Sequence, residues 1–171
     1  MQQKILRLLF QKAGDTLNAN AISRLLKVSP PAVTKSLPAL VAQGLIVCNK
    51  DKESGRLSIG LNKDDHQVIW LKRADNLKQL YESGLVQFFY DSYPEATVAL
   101  FGSYAFGEDT AGSDIDIAIF GAKEKKIDLE TYEIRLSRPI RINYYKSLQG
   151  LNPHLRNNIL NGITLKGSLA L

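Results

Sequence analysis

Apolar positions in the first 44 residues recur at spacings of three and four, and they predict three short helices. Ile5, Leu6, Leu9 and Phe10 form one stripe on the first helix, which Gly14 and Asp15 end. A second helix fits Ala19–Leu26, capped by Asn18 or Asn20, with Ile22, Leu25 and Leu26 turned inward. A third begins at Ser29, a good N-cap, with Pro30 in the first helical position, where a missing N–H costs nothing. It runs to about Gly44 with Val33, Leu37, Leu40 and Val41 on one face, and Pro38 predicts a slight kink. The period then changes. Leu45–Cys48 reads as a strand, residues 49–55 as a charged turn, and residues 56–61 as a returning strand.

Helical spacing resumes over residues 64–93, through Val68, Ile69, Leu71, Leu77, Leu80, Leu85, Phe88 and Phe89. A long connecting helix is expected there, with Gly84 as a point of bending and Tyr93–Pro94 as the stop. Its apolar face is wider than one partner needs, so it is expected to pack on both flanking domains or at a dimer seam. Trp70, Tyr81, Phe88, Phe89 and Tyr90 are assigned to the core. Residues 96–101 and 114–120 then read as buried strands. Residues 126–136 read as a short helix, 138–145 as a strand, and 148–167 as a helix ending at Asn161–Gly162 before a last short strand. The expected architecture is α+β in three parts: residues 1–63, the connector 64–93, and a small α/β domain with a mixed sheet over 94–171.

Composition narrows the function classes. The chain has 171 residues, 44% hydrophobic and 23% charged, which suits a folded protein of one ordinary or two small domains. A single cysteine, Cys48, excludes a disulfide framework and a thiolate zinc finger. His66 and His154 lie far apart and form no ligand pair. The apolar runs are only a few residues long, well short of the roughly 20 that cross a bilayer. The N-terminal segment reads as a helix rather than a signal peptide, so the cytoplasm is the expected compartment. The net charge of +5 is unevenly placed: residues 1–63 carry 10 Lys and Arg against 3 Asp and Glu, or +7, and the remainder carries −2. A basic N-terminal third favours an anionic partner.

Three short helices followed by a hairpin is the order of a winged helix-turn-helix, and residues 1–63 resemble that family. The resemblance implies that the third helix lies in the major groove of double-stranded DNA and that the hairpin touches phosphates. By position, Thr34, Lys35 and Ser36 would face the groove, and Lys50, Lys52 and Arg56 would make the wing contacts. Few long polar side chains line that helix, which is thin for base readout. Dimerisation or protein docking is the alternative use of such a module.

Chemistry concentrates between the two buried strands. The first leads into Gly102-Ser103, and the second opens with Asp114-Ile115-Asp116. Carboxylates at i and i+2 share one face of a strand, and keeping both ionised calls for a cation. Mg²⁺ suits a small oxygen-only set, because it keeps waters and takes one or two carboxylates plus a substrate phosphate. Gly102 permits close approach of a phosphate to the backbone, and the Ser103 hydroxyl and nearby amides can donate to it.

Gly-Ser, ten intervening residues and Asp-x-Asp resemble the signature of polymerase-beta-like nucleotidyltransferases, and most closely the minimal nucleotidyltransferases of archaea and bacteria. The resemblance covers about residues 94–167. It implies that Asp114 and Asp116 bind a two-ion Mg²⁺ site and act in catalysis, and that Gly102, Ser103 and Ser113 contact the nucleoside triphosphate. It implies transfer of a nucleoside monophosphate to an acceptor, which in such families is often a partner protein. The chain departs from the pattern on the next strand. Arg141 and Asn143 stand where many relatives have a third carboxylate, and Glu133 could replace it only by swinging inward. A DNA-binding regulator whose transferase domain only binds nucleotide, or dimerises, is therefore the alternative.

Overall fold

The computed structural model describes residues 1–50 and 57–169. They divide into two compact units, Met1–Lys72 and Arg73–Leu171, a division that falls inside a helix and not at the expected positions 63 and 93. No helix among the described residues is long and apolar enough to cross a membrane.

The first unit contains α1 (Gln2–Gln11), α2 (Ala19–Leu26), α3 (Pro30–Ala42), β1 (Ile46–Lys50) and β2 (Leu57–Leu61). Asn18 caps α2 by accepting the Ala21 N–H at 2.8 Å. β1 and β2 pair antiparallel from Ile46↔Leu61 to Lys50↔Leu57, and Leu17 adds a bridge to Ile59. This is the winged helix-turn-helix arrangement expected from the order of elements. Ile5, Leu9, Ile22, Val33, Leu37, Leu40, Ile46 and Ile59 make its core. Two inward assignments are corrected: Leu25 is 52% and Val41 44% exposed. Each adjoins core leucines on its helix, but the core closes before reaching it. α3 continues through Pro38, whose ring is exposed.

The expected connector is two helices, α4 (His66–Ser83) and α5 (Leu85–Ser92). Gly84, at φ +84°, interrupts them in a left-handed conformation that a glycine adopts without steric cost. Arg135 Nη1 donates to the Ser83 carbonyl at 2.7 Å, satisfying an acceptor at the end of α4. Val68 near the start of α4 belongs to the first core, and Leu77 and Leu80 near its end belong to the second. The aromatic assignment needs correction. Phe89 is fully buried and Phe88 partly so, but Trp70 is 67% exposed, and Tyr81 and Tyr90 are also exposed.

The second unit adds β3 (Thr97–Phe101), α6 (Gly102–Phe106), β4 (Ile115–Phe120), α7 (Glu130–Leu136), β5 (Ile140–Tyr145), α8 (Pro153–Leu160) and β6 (Ile163–Lys166). Its sheet is mixed, in the order β5-β4-β3-β6, with β4 and β5 parallel and the other pairs antiparallel. Strand alternation gives the sheet two faces. Val98, Leu100, Ile115, Ile117 and Ile119 pack with Leu80, Leu85 and Phe89 from α4 and α5. Ala99, Phe101, Ala118 and Phe120 pack on the opposite side with Leu148 and with Ile159 of α8. The second face carries the candidate site.

Candidate nucleotide site

Asp116 follows the period of Ala118 and Phe120 and so lies on the α8 face of the sheet. In register it stands between Phe101 of β3 and Arg141 of β5. Asp114 lies just ahead of β4, and its charge acts on Asp116. β4 delivers Asp116 to the end of β3, where α6 begins. Burial raises the pKa of Asp116 first, the charge of Asp114 raises it further, and Arg141 pulls the other way.

Gly102 plays a more specific part than leaving room for a phosphate. Its φ is +75°, and a Cβ there would lie 2.6 Å from Asp116 Oδ2. Any side chain at this position would push into the carboxylate. The Gly102 N–H is already used: it donates to Asn158 Oδ1 of α8 at 3.1 Å. Sequence reading missed Asn158, because 56 positions separate the pair and nothing in the local pattern marks it.

Ser103 is half-buried in the first turn of α6, a helix of only five residues. The Ser113 hydroxyl accepts the Thr110 N–H at 2.9 Å and so closes the turn that precedes Asp114. That turn rests on a buried polar cluster. Asp109 pairs with Arg138 at 3.1 Å and accepts from Asn76 Nδ2 at 2.7 Å, and Arg138 also donates to the Ala111 carbonyl. Asp109 is 2% and Arg138 6% exposed, so the pair is a scaffold beneath the loop carrying Ser113 and Asp114.

On β5, Arg141, Asn143 and Tyr145 alternate onto the same face. The Tyr145 ring lies tilted against Phe120, with centroids 5.6 Å apart, and burial followed by the Asp116 charge raises its pKa. Arg141 Nε donates to Asp114 Oδ2 at 2.7 Å. Glu133 accepts the Ile140 N–H at 2.8 Å through Oε1, so its carboxylate ties α7 to the start of β5. No cluster of three or more His, Cys, Asp or Glu suited to a metal ion occurs among the described residues. The two-carboxylate set fits one divalent cation whose remaining ligands are water and substrate phosphate.

Residues 83–164 match the family model of the nucleotidyltransferase domain. This segment is similar to a nucleotidyltransferase domain. The match encloses Gly102, Ser103, Ser113, Asp114 and Asp116, the positions at which the motif spacing implied it. No curated protein matches the chain. Among solved structures, a variant of Lactococcus lactis ZitR is 22% identical with a TM-score of 0.40, covering 54% of this chain and 62% of that one. A second ZitR variant is 25% identical with a TM-score of 0.41, covering 56% and 66%. The S. aureus MepR–DNA complex is 23% identical with a TM-score of 0.38, covering 55% and 78%. This chain thus spans less than two thirds of either ZitR chain.

The groups expected to meet DNA divide. Thr34, Lys35 and Lys50 are exposed. Ser36 is corrected: it is 9% exposed and donates to the Ala32 carbonyl at 2.9 Å, so it faces inward. It lies one residue from core Leu37, and the helical period carries it to the buried side. Lys52 and Arg56 lie outside the described residues.

Proposed function

We propose that this chain binds Mg²⁺ and a nucleoside triphosphate at the Asp114–Asp116 end of β4 and transfers a nucleoside monophosphate to an acceptor. The observation that carries this reading is the nucleotidyltransferase match over 83–164, which encloses Asp116 against Gly102 and the neighbouring Asp114. Asp114 and Asp116 would hold the cation, which when bound draws charge from the phosphoryl oxygens. Ser103 would donate to the outer phosphates. An acceptor hydroxyl forms the new bond to the α-phosphorus, the α–β bridge breaks, and pyrophosphate leaves. The proton of the acceptor passes to water, because the side chains on the facing strand, Arg141 and Asn143, are not carboxylate bases. A partner protein is one acceptor that fits the proposal.

The N-terminal unit supports double-stranded DNA as a further partner. Its winged helix carries the charge of +7 over residues 1–63 and leaves Thr34, Lys35 and Lys50 exposed. We place this activity in the cytoplasm. A second reading, a DNA-binding regulator whose transferase domain binds nucleotide without turnover, or serves as a homodimer contact, is favoured by the Arg141–Asp114 pair.

Calorimetric titration with each of the four ribonucleoside triphosphates in Mg²⁺, beside Asp114→Asn/Asp116→Asn, tests the site. The expected result is saturable binding lost in the variant. Binding that survives in the variant would remove the assignment. Label transfer from an α-labelled triphosphate then separates turnover from binding alone.

A further inference from the structure

β4 and β5 run parallel, and their register sets Asp116 opposite Arg141. β5 is the edge strand of the sheet, so Arg141 reaches the acidic pair from its open side. Its side chain is 70% exposed, whereas that of Asp114 is 22% exposed. Arg141 Nε lies 2.7 Å from Asp114 Oδ2 while most of the arginine side chain stays at the surface. The guanidinium can leave by rotating its own side chain, without moving either strand.

The charge count is also specific. Asp114, Asp116 and Arg141 sum to −2 + 1 = −1. A two-ion site places two divalent cations about 3.5–4 Å apart, and these three side chains offset only one unit of the ions' combined +4 charge. The described residues offer no cluster of three or more acidic, imidazole or thiol donors that could hold a metal ion. A divalent cation on Asp114 must also meet the positive charge of Arg141, which lies 2.7 Å from that carboxylate.

We infer that Arg141 is the resident counter-ion of this site. It satisfies Asp114 when no divalent cation is bound, competes with that cation for the carboxylate, and limits the loaded site to one ion. This rests on the nucleotide-site reading above for its biological meaning, although its test does not. It replaces the two-ion expectation by a one-ion site with a built-in monovalent charge.

Mn²⁺ is the probe, with bound ions counted by the loss of the free-ion electron paramagnetic resonance signal in the full-length chain. Arg141→Gln is expected to tighten Mn²⁺ binding by about tenfold, about 1.4 kcal/mol. Arg141→Lys, which keeps the charge, should stay nearer the wild type. Asp114→Asn should abolish the difference, and the wild type should saturate at one ion per chain. Arg141→Met serves as a second neutral variant if Arg141→Gln folds poorly. Equal Mn²⁺ affinity in the wild type and the neutral variants, or two ions per wild-type chain, would overturn the inference. No Mn²⁺ binding by any variant overturns it as well. A tenfold difference in Mn²⁺ affinity without binding of any nucleoside triphosphate sustains the counter-ion and removes the nucleotide reading instead.

Discussion

Gly102 shows how much one missing side chain decides here. Its left-handed backbone and the 2.6 Å clearance to Asp116 Oδ2 are separate constraints, and alanine violates both. The backbone strain alone costs roughly 1–2 kcal/mol. Gly102→Ala is therefore expected to lower the melting temperature of the second unit by roughly 4–8 °C per kcal/mol of destabilisation. It should also weaken Mg²⁺–nucleotide binding by about tenfold, because Asp116 must move. A thermal melt beside a nucleotide titration checks both, and unchanged affinity would show that Asp116 does not need its present position. Ser36 makes the complementary point. Thr34 and Ser36 each donate to the carbonyl four residues back, but Thr34 and Lys35 are exposed and Ser36 is buried. Three adjacent polar residues read alike in a sequence, and the 100° step of a helix separates them.

Between elements, the loop from α6 to β4 is held from below by ionic and hydrogen-bonded contacts. Arg138, at the start of the segment leading into β5, reaches Asp109 and the Ala111 carbonyl, and Asn76 of α4 reaches Asp109 from the other side. Removing one member of a buried pair leaves an uncompensated charge and costs about 3–5 kcal/mol. Arg138→Met is expected to lose stability of that order in urea unfolding. A loss under about 1 kcal/mol would mean that Asp109 finds another partner. The break between α4 and α5 belongs to the same scale. The helical period passes through Gly84 without interruption, so the apolar pattern reads as one helix. Only the left-handed conformation of Gly84 divides it and turns Leu85 and Phe89 into the second core.

For the whole chain, one apolar core lies in the first unit and two, on opposite faces of the sheet, lie in the second. The two units each bury their own apolar residues. Substitutions at distant sites with no shared partners are additive. Lys35→Ala/Lys50→Ala is expected to weaken duplex DNA binding and to reduce the slope of log affinity against log salt by about 0.9 for each phosphate no longer neutralised. Nucleotide affinity should be unchanged. Asp114→Asn should do the reverse. Fluorescence polarisation with a labelled duplex across a salt series measures the slope, and an unaltered slope would take both lysines out of the interface.

Much of this was legible in the chain because it depends on short-range periodicity. The two-residue period of a strand puts Asp116 on the side of Ala118 and Phe120, and Asp114 lies close beside it in the chain. The spacing from Gly102-Ser103 to that pair marked the nucleotidyltransferase domain, and three helices followed by a hairpin marked the winged helix. Register between distant strands and the choice of buried face have no such local signal. Parallel pairing of β4 with β5 brought Arg141 onto Asp114, and packing of α8 brought Asn158 to the Gly102 amide. Core closure left Trp70, Tyr81 and Tyr90 outside, because an aromatic residue on a helix is buried only where a second surface meets it. Local period determined which residues could act together, and tertiary pairing decided which charges and hydrogen bonds they meet.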